Sequence, residues 1–264
     1  MIELKGTSIP SYFSGIIGRT GSTTQVENCY NTGNIVASTS NYVGGIVGGN
    51  EGGTGLTITH CYNKADISGK ERVGGIVGNA TSATINYTYN TGKIDGTSAV
   101  AGISGNYANI SNSYNVGDIT AGQYVAGISG DANYEITIEN VYNIGSVSKT
   151  KANQDYYTYV GGIVGSGYSA TLINTYNLGN VSAENDTNIY VGSIGYTNSD
   201  LSTSYYLKGT ASVGNSYTNT SGGEADEIET QDEIKALLNS QIATKEGWTE
   251  DGKEENRGYP ILVF

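Results

Sequence analysis

Two cysteines and the single histidine of this chain suggest a metal or redox site. Cys61 directly follows His60, and Cys29 lies 32 residues upstream. Zinc sites use cysteine and histidine, but a structural site needs four ligands, and the sequence offers no obvious fourth. Two cysteines in 264 residues do not form a disulfide framework either. A metal site is therefore not the favoured interpretation of these residues.

A glycine-rich stretch, VGGIVGGNEGGTG at residues 43–55, resembles a phosphate-binding loop in composition. Such a loop needs a following Lys-Ser or Lys-Thr pair between a strand and a helix, and neither feature is present here. The same pattern recurs along the chain. We therefore expect the glycines to serve packing, because glycine lets the backbone bend or approach a neighbour closely.

Acidic side chains offer a third kind of chemistry. Polysaccharide lyases and hydrolases need paired carboxylates, or a base beside clustered acids. The acids of the repeats are scattered singly, but Asp95 and Asp118 are expected to share a repeat position in adjacent coils. There they would form a carboxylate pair or hold Ca²⁺. The leading prediction is a protein that is not an enzyme and has no cofactor, with Ca²⁺ as the one candidate ion.

Charge and hydropathy narrow the possible partners. The net charge of −12 and the pI near 4.4 argue against nucleic acid and against an anionic membrane surface. No apolar run reaches the ~18 residues of a membrane span, so membrane insertion is not expected. The first twenty residues lack the pattern of a signal peptide. Because repeats begin almost at residue 1, we expect a segment of a larger secreted protein that continues upstream or meets a partner there.

Internal repeats dominate the chain. One signature is Tyr-Asn-x-Gly-x-Ile/Val, and its tyrosines lie 25 to 34 residues apart. Its copies are YNTGNI from Tyr30, YNKADI from Tyr62, YNTGKI from Tyr89, YNVGDI from Tyr114, YNIGSV from Tyr142 and YNLGNV from Tyr176, with a degraded copy from Tyr205. The second signature alternates with the first and appears as SGIIG, VGGIVG, VAGISG or VGSIG, from Ser14, Val43, Val73, Val100, Val125, Val160 and Val191. Such a period indicates a stack of similar structural units.

The residues before each signature tyrosine alternate as in a strand with one buried face. The residue four positions earlier is always aliphatic, and the residue three positions earlier is mostly polar. The same alternation predicts an inward polar row two positions earlier, at Asn28, His60, Tyr87, Asn112, Asn140, Asn174 and Thr203. Buried polar groups of this kind must be hydrogen-bonded.

An asparagine follows the tyrosine in six copies: Asn31, Asn63, Asn90, Asn115, Asn143 and Asn177. With the glycine two residues on, it predicts a corner, since both residue types tolerate left-handed backbone. Stacked corners would form a ladder in which each amide bonds to its copy roughly 4.8 Å away. Cys29 and Cys61 occupy a neighbouring position that holds small residues in most other coils. A row of small residues is the favoured interpretation of this position, and a disulfide between the two coils is the alternative.

These patterns predict an all-β fold, a parallel β-solenoid of about seven coils, with the right-handed crossovers of a β-helix. Residues 1–207 would form the solenoid and residues 208–264 an acidic C-terminal cap. Thr230-Gln-Asp-Glu233 is a capping box that precedes an apolar face of Ile234, Leu237 and Leu238, so a short helix is expected. We expect the helix to lie over the open end of the last coil, with 259–264 as a closing strand.

The paired VGGIVG and YNTGNI signatures resemble the GLUG-motif repeat of bacterial cell-surface proteins, over roughly residues 14–206. The ending with Trp248 and Gly258-Tyr259-Pro260 is similar to the way such arrays close. This repeat occurs in large adhesin-like proteins and in the stalks of IgA-specific metallopeptidases. The resemblance implies an architecture rather than one activity, and the zinc motif H-E-x-x-H of those metallopeptidases is not in this sequence.

The loops between the signatures vary in length, and the two longest are consecutive. They contain SKTKANQDYYTY from Ser148 and SAENDTNIY from Ser182, which are rich in residues suited to contacts with sugars or proteins. We expect them to protrude side by side and to carry the ligand-binding residues Tyr156, Tyr157, Tyr159, Asn188 and Tyr190.

The leading functional prediction is a non-enzymatic, extracellular, adhesin-like module at a bacterial cell surface. It would act as a spacer and bind host glycan or extracellular protein through these loops, or contact neighbouring domains of a longer parent chain. The alternatives are a carbohydrate-active β-helix enzyme, such as a polysaccharide lyase or hydrolase, and a filament or stalk subunit.

Overall fold

Each sequence repeat folds into one turn of a parallel β-solenoid. The computed structural model describes residues 2–3, 11–21, 23–50, 55–150, 157–184, 188–211, 224–252 and 256–263. Within these ranges, four parallel sheets run along the solenoid, three of them with seven strands each. Seven stacked strands are separated by six complete turns. The predicted all-β parallel solenoid is confirmed.

Sheet 1 begins at the last residue of each first signature, and sheet 2 contains the first residues of each second signature. Sheet 1 contains Ile2–Glu3, Ile35–Val36, Ile67–Ser68, Ile94–Asp95, Ile119–Ala121, Val147–Lys149 and Val181–Ala183. Sheet 2 contains Phe13–Ser14, Val43–Gly44, Glu71–Gly74, Ser98–Ala101, Gln123–Ala126, Thr158–Gly161 and Ile189–Gly192. Their inward isoleucines and valines form one apolar column.

Sheets 3 and 4 complete each turn. Sheet 3 contains Ile17–Thr20, Val47–Asn50, Val77–Ala80, Ser104–Asn106, Ser129–Asp131, Val164–Gly167 and Tyr196–Thr197. Sheet 4 contains Thr24–Glu27, Tyr30–Asn31, Leu56–Asn63, Ala83–Asn90, Ala108–Asn115, Thr137–Asn143, Thr171–Asn177, Ser204–Leu207 and Asp226–Ile228. A second apolar column lies between these sheets. Equivalent residues pair in register, as Ile58 does with Ile85, so like side chains stack on like.

The inward polar row two positions before each tyrosine is not formed. Six of the seven residues at this position, all except Thr203, have left-handed backbone. The φ angle is 54° at Asn28, 51° at His60 and 44° at Asn112. Such a residue acts as a β-bulge and reverses the alternation of the strand. His60 is therefore half-buried on the outer surface, where it stacks on Tyr87 at 5.1 Å. The next residue points inward instead, as buried Cys61 does.

The six signature asparagines lie in a buried ladder beside the core. Each side-chain amide donates to the Oδ1 atom of the asparagine in the next coil, from Asn31 to Asn177, at 2.7 to 2.9 Å. From Asn63 onward, each Nδ2 atom also donates to the carbonyl two residues further on, 2.8 Å away at Gly117 for Asn115. The ladder thus satisfies the buried amides and carbonyls of the corner together.

The middle glycines of the second signature make room for this ladder. A Cβ atom added at Gly75 would lie 2.6 Å from Cγ of Asn90. At Gly102 it would overlap the amide of Asn115. The recurring glycines therefore serve close packing, as the sequence indicates, and the two signatures depend on each other.

The C-terminal segment packs on the outer face of sheet 4. Its helix, Gln231–Gln241, buries Ile234 and Leu238 in one apolar cluster with the signature tyrosines Tyr142 and Tyr176. The expectation that this helix lies over the open end of the last coil is therefore wrong. The reversed alternation explains the difference, because it turns the signature tyrosines outward into an aromatic column that needs a cover. The predicted capping box at Thr230 is confirmed.

A two-stranded antiparallel sheet extends this cover along the column. It pairs Trp248–Thr249 with Ile261–Leu262, so the expected closing strand pairs within the cap and not with the last coil. The indole of Trp248 lies 5.8 Å from the ring of Tyr114 and 5.9 Å from that of Tyr142. The buried hydroxyl of Tyr142 donates to the carbonyl of Pro260 and accepts from Asn256.

Replacing one ladder asparagine should destabilise the whole rod. In Asn115→Ala, Asn143 Oδ1 loses its donor and Asn90 Nδ2 loses one acceptor, and each buried group left without a partner costs about 1–3 kcal/mol. Denaturant unfolding measures the loss. Asn180→Ala, which removes an exposed asparagine, is the matched control and should change the free energy of unfolding by less than about 0.5 kcal/mol. Equal effects of the two substitutions would contradict a stabilising ladder.

Removing the indole of the cap should also lower stability strongly. Trp248→Ala empties a buried site against two tyrosines, and such truncations cost about 3–5 kcal/mol. Thermal unfolding followed by near-ultraviolet circular dichroism, which reports the tyrosine environment, would detect it. Val263→Ala, in the same segment but 56% exposed, should leave the transition nearly unchanged.

Candidate functional site

A second set of tyrosines lies on the outer face of sheet 2. Tyr124, Tyr159 and Tyr190 each precede the buried valine of a VGGIVG-type signature, so the strand turns them outward. Tyr159 pairs with Tyr190 in register, and their rings stack at 5.2 Å with an interplanar angle of 10°. Tyr124 stacks on Tyr159 at 5.4 Å. Three successive coils thus contribute to one column of rings.

Two further tyrosines join this column from its sides. Tyr196, which begins a strand of sheet 3, lies 4.8 Å from Tyr159 and 5.2 Å from Tyr190. Tyr157, at the end of the first long loop, lies 5.9 Å from Tyr190. We refer to Tyr124, Tyr157, Tyr159, Tyr190 and Tyr196 as the tyrosine cluster.

Hydrogen bonds between neighbouring coils hold the ends of the two long loops. The Thr158 amide donates to the carbonyl of Asn188 at 3.0 Å, and Gln123 Nε2 donates to the carbonyl of Tyr157 at 2.8 Å. Asn188 is exposed, with a left-handed backbone (φ 64°). The loops therefore rejoin the solenoid side by side, next to the cluster.

The structure brings together three of the five predicted ligand-binding residues, Tyr157, Tyr159 and Tyr190. Asn188 contributes its backbone to the arrangement, and Tyr156 lies outside the described residues. Sequence reasoning missed Tyr124 and Tyr196. The position of Tyr124 before its signature valine, equivalent to Tyr159 and Tyr190, would have identified it.

The cluster combines apolar ring surface with hydroxyl groups. Tyr157 is 55% exposed, and the other four rings are half-buried. Burial first, and then the surrounding phenols, led by Tyr124, together raise the pKa of Tyr159 to about 12. Its hydroxyl therefore stays protonated at neutral pH and both donates and accepts hydrogen bonds. Rings of this kind pack against apolar faces of a ligand while their hydroxyls bind its polar groups.

The same outward row is interrupted towards the N-terminus. Arg72 and Ala99 occupy the positions equivalent to Tyr124. The Arg72 guanidinium lies over the ring of Tyr42 at 5.1 Å and donates to its hydroxyl at 3.0 Å. That part of the row is therefore occupied by an internal cation–π pair, and the continuous aromatic surface is confined to the last three coils.

A groove adjoins the cluster at the corner between sheets 3 and 4. Tyr168, which is 54% exposed, lies 6.4 Å from Tyr196 and forms one wall. The groove has a volume of about 540 Å³. Its lining consists of Tyr168, Ser169, Ala170, Thr171, Leu172, Ile173, Asn198, Ser199, Asp200, Ser202 and Thr203. Most of these side chains carry hydroxyl, amide or carboxylate groups.

The cysteines form no candidate site. Both thiols are free, and Cys61 Sγ accepts from the Cys29 amide at 3.4 Å. Burial raises the pKa of Cys61 to about 11, which keeps its thiol protonated and unreactive at neutral pH. The equivalent side chains of Thr88 and Ser113 are hydrogen-bonded at 3.1 Å, so this position is a stacked row of small residues.

The acids expected to bind Ca²⁺ do not occupy equivalent positions in adjacent coils. Asp95 pairs with Ser68 and Thr120, so the expectation that it shares a position with Asp118 is wrong. Asp118 instead accepts from the Ser146 amide at 3.0 Å, as Asp66 accepts from the Lys93 amide at 2.9 Å. In the part of the chain that the structure describes, no group of three or more His, Cys, Asp or Glu side chains is arranged to hold a metal ion.

Comparison with known proteins gives one informative match. No family model and no curated protein matches the chain. The fold is similar to the crystal structure, at 1.30 Å resolution, of a protein from Bacteroides ovatus named as a putative immunoglobulin A1 protease, with a TM-score of 0.59 and 20% identity. The match covers 91% of this chain and 75% of the other. At this identity the similarity concerns the fold alone. Among the described residues, no helix is long and apolar enough to cross a membrane.

Half-buried phenols should make stability fall at alkaline pH. Burial raises the pKa of both Tyr159 and Tyr107 to about 12, against about 10 for an unfolded tyrosine. The unfolded chain therefore loses these protons first, so the free energy of unfolding decreases between about pH 10 and 12. Denaturant unfolding across this range, with phenolate absorbance, measures the effect. Tyr159→Phe should give a shallower decline, and a stability that rises with pH would contradict the assignment.

Proposed function

We propose that this chain is a non-enzymatic, extracellular β-solenoid module of a bacterial cell-surface protein, of the GLUG-repeat type, which binds a glycan through the tyrosine cluster. The observation that carries the proposal is this cluster, because five rings from three coils form one continuous and partly exposed surface. The rest of the rod acts as a spacer that presents the cluster away from the cell.

The chemistry of the cluster suits a sugar. A sugar ring presents C–H groups on its faces and hydroxyls at its edge, and tyrosine offers an apolar face and a hydroxyl on one side chain. The rings at the side of the column, above all Tyr157, have exposed surface for stacking. Since the sheet and the ring contacts already hold Tyr159 and Tyr190, little side-chain entropy is lost on binding.

The non-enzymatic assignment rests on how the acids are used. Asp66 and Asp118 cap backbone amides of the next coil, and Asp131 accepts from the hydroxyl of Tyr107 at 2.9 Å. These carboxylates serve the architecture. The protease name of the Bacteroides ovatus protein is not extended to this chain, because a shared solenoid fold carries no activity.

The extracellular assignment rests on the resemblance of the repeat signatures to those of bacterial cell-surface proteins, and the charge is compatible with it. A net charge of −12 favours a soluble rod that avoids nucleic acid and anionic surfaces. The repeat signatures that resemble GLUG proteins recur in each coil and form the corner and the ladder. The module would then work beside further domains of a longer parent chain.

A glycan array followed by titration calorimetry tests the proposal. Tyr159→Ala and Tyr190→Ala should each weaken binding of the glycans that the wild type retains by at least about 10-fold, equivalent to ~1.4 kcal/mol. Tyr134→Ala is the matched control, because this ring is 58% exposed and lies outside the cluster. Binding should be the same in EDTA as in Ca²⁺.

Two outcomes would overturn the proposal. If an array of neutral and acidic glycans retains none of them on the protein, the chain serves only as a spacer. Binding to an extracellular protein that persists after enzymatic removal of its glycans would replace the glycan with a protein partner.

A further inference from the structure

We infer that the groove lined by Tyr168 and Asp200 is a second subsite, continuous with the tyrosine cluster, and that the combined site takes a neutral linear oligosaccharide. This inference rests on the proposed function and adds the class of glycan. The ring contacts lead without interruption from Tyr190 to Tyr196 at 5.2 Å and from Tyr196 to Tyr168 at 6.4 Å. A ligand that spans this path needs more than one or two sugar units.

The groove exists because the last coil departs from the repeat. In the preceding coils of sheet 4 each strand pairs with the next within its first three residues, as Thr137 does with Thr171. The following strand pairs with its neighbour only from Thr175 onward, opposite Ser204. Thr171, Leu172 and Ile173 therefore line an open volume of about 540 Å³, within the usual range for small-ligand sites.

The strand edge in this groove is already satisfied, which disfavours an added peptide strand. The Leu172 amide donates to Ser199 Oγ at 2.8 Å, and the Asn174 amide donates to Thr203 Oγ1 at 3.1 Å. A peptide that extends the sheet would need these amides as donors. An oligosaccharide needs hydroxyl, amide and carboxylate groups instead, and the groove provides these through Ser202, Asn198 and Asp200.

Charge then selects between kinds of glycan. The exposed carboxylate of Asp200 lies at the groove, where its Oδ1 atom accepts a hydrogen bond from the Ser202 amide at 2.9 Å. The whole chain carries a net charge of −12. A sugar with its own carboxylate or sulfate would be repelled both locally and at a distance, while the hydroxyls of a neutral sugar can donate to Asp200.

The test compares length and charge of defined probes by titration calorimetry. The neutral probes are disaccharides and hexasaccharides of N-acetyllactosamine, mannose and β-linked glucose, and the acidic probe is a hyaluronan hexasaccharide. Neutral hexasaccharides should bind at least about 10-fold more tightly than their disaccharides, as expected when a second subsite is occupied. Tyr168→Ala should remove this advantage and leave disaccharide binding unchanged. Tyr159→Ala should weaken the binding of both disaccharides and hexasaccharides.

A charge variant tests the selection against acidic glycans. Asp200→Asn keeps an acceptor for the Ser202 amide and should reduce the discrimination between neutral and acidic hexasaccharides by about fivefold at low salt. Asp118→Asn is the matched control, since Asp118 also accepts from a backbone amide at an exposed corner. It should leave the discrimination unchanged.

The outcomes separate the groove from the cluster. If hexasaccharides bind no better than disaccharides, or if Tyr168→Ala has no effect while Tyr159→Ala does, the groove is not a subsite and the proposed function stands. If the hyaluronan hexasaccharide binds more tightly than every neutral probe, the inference that the site takes a neutral glycan is wrong. Failure of the wild type to bind any of these probes would overturn this inference, and the proposed function would fall with it only if the glycan array is silent as well.

Discussion

The hydrogen-bonded asparagine ladder, seated against the glycines of the neighbouring signature, is the contact on which the rest of the solenoid depends. Each amide bonds to the asparagines before and after it, as Asn90 does to Asn63 and Asn115, so one coil cannot slip relative to the next. No side chain larger than hydrogen fits at Gly75 or Gly102 beside it. Strand register follows from this contact, and with it the stacking of every equivalent side chain.

Because the register is fixed, outward residues of the same type form columns, and the protein uses two tyrosine columns differently. On sheet 4 the C-terminal helix and hairpin cover the part of the column that includes Tyr142 and Tyr176, while Tyr30 at its N-terminal end is 57% exposed. Burial of the covered part joins the cap to the rod. The column on sheet 2, around Tyr159, has no such cover among the described residues and keeps partly exposed rings. The same residue type therefore supplies cohesion on one face and candidate recognition on another.

Much of this arrangement could be predicted from the sequence, because periodicity reports directly on stacked coils. The ladder from Asn31 to Asn177 and the capping box at Thr230 follow from spacing alone. The prediction of an inward polar row was wrong because strict alternation along a strand does not allow for a left-handed residue such as His60. Asparagine at this position in four coils was an available signal, since asparagine adopts that conformation more readily than most residues. Because the left-handed residue was not foreseen, the tyrosines were expected to point inward. The position of the cap depends on their direction, so it was predicted wrongly as well.

The candidate site was only partly predictable because it forms where the repeat changes. Loop length and composition identified Tyr157, Tyr159 and Tyr190. Tyr196 comes from sheet 3 and Tyr168 from the turn between sheets 3 and 4, and only the folded corner brings them to the cluster. The groove exists because Thr171 has no partner strand in the shortened last coil. No local sequence pattern reveals this missing strand pairing. A regular solenoid buries its strand edges and stacks its side chains uniformly, so departures from regularity are where it can acquire a specific ligand.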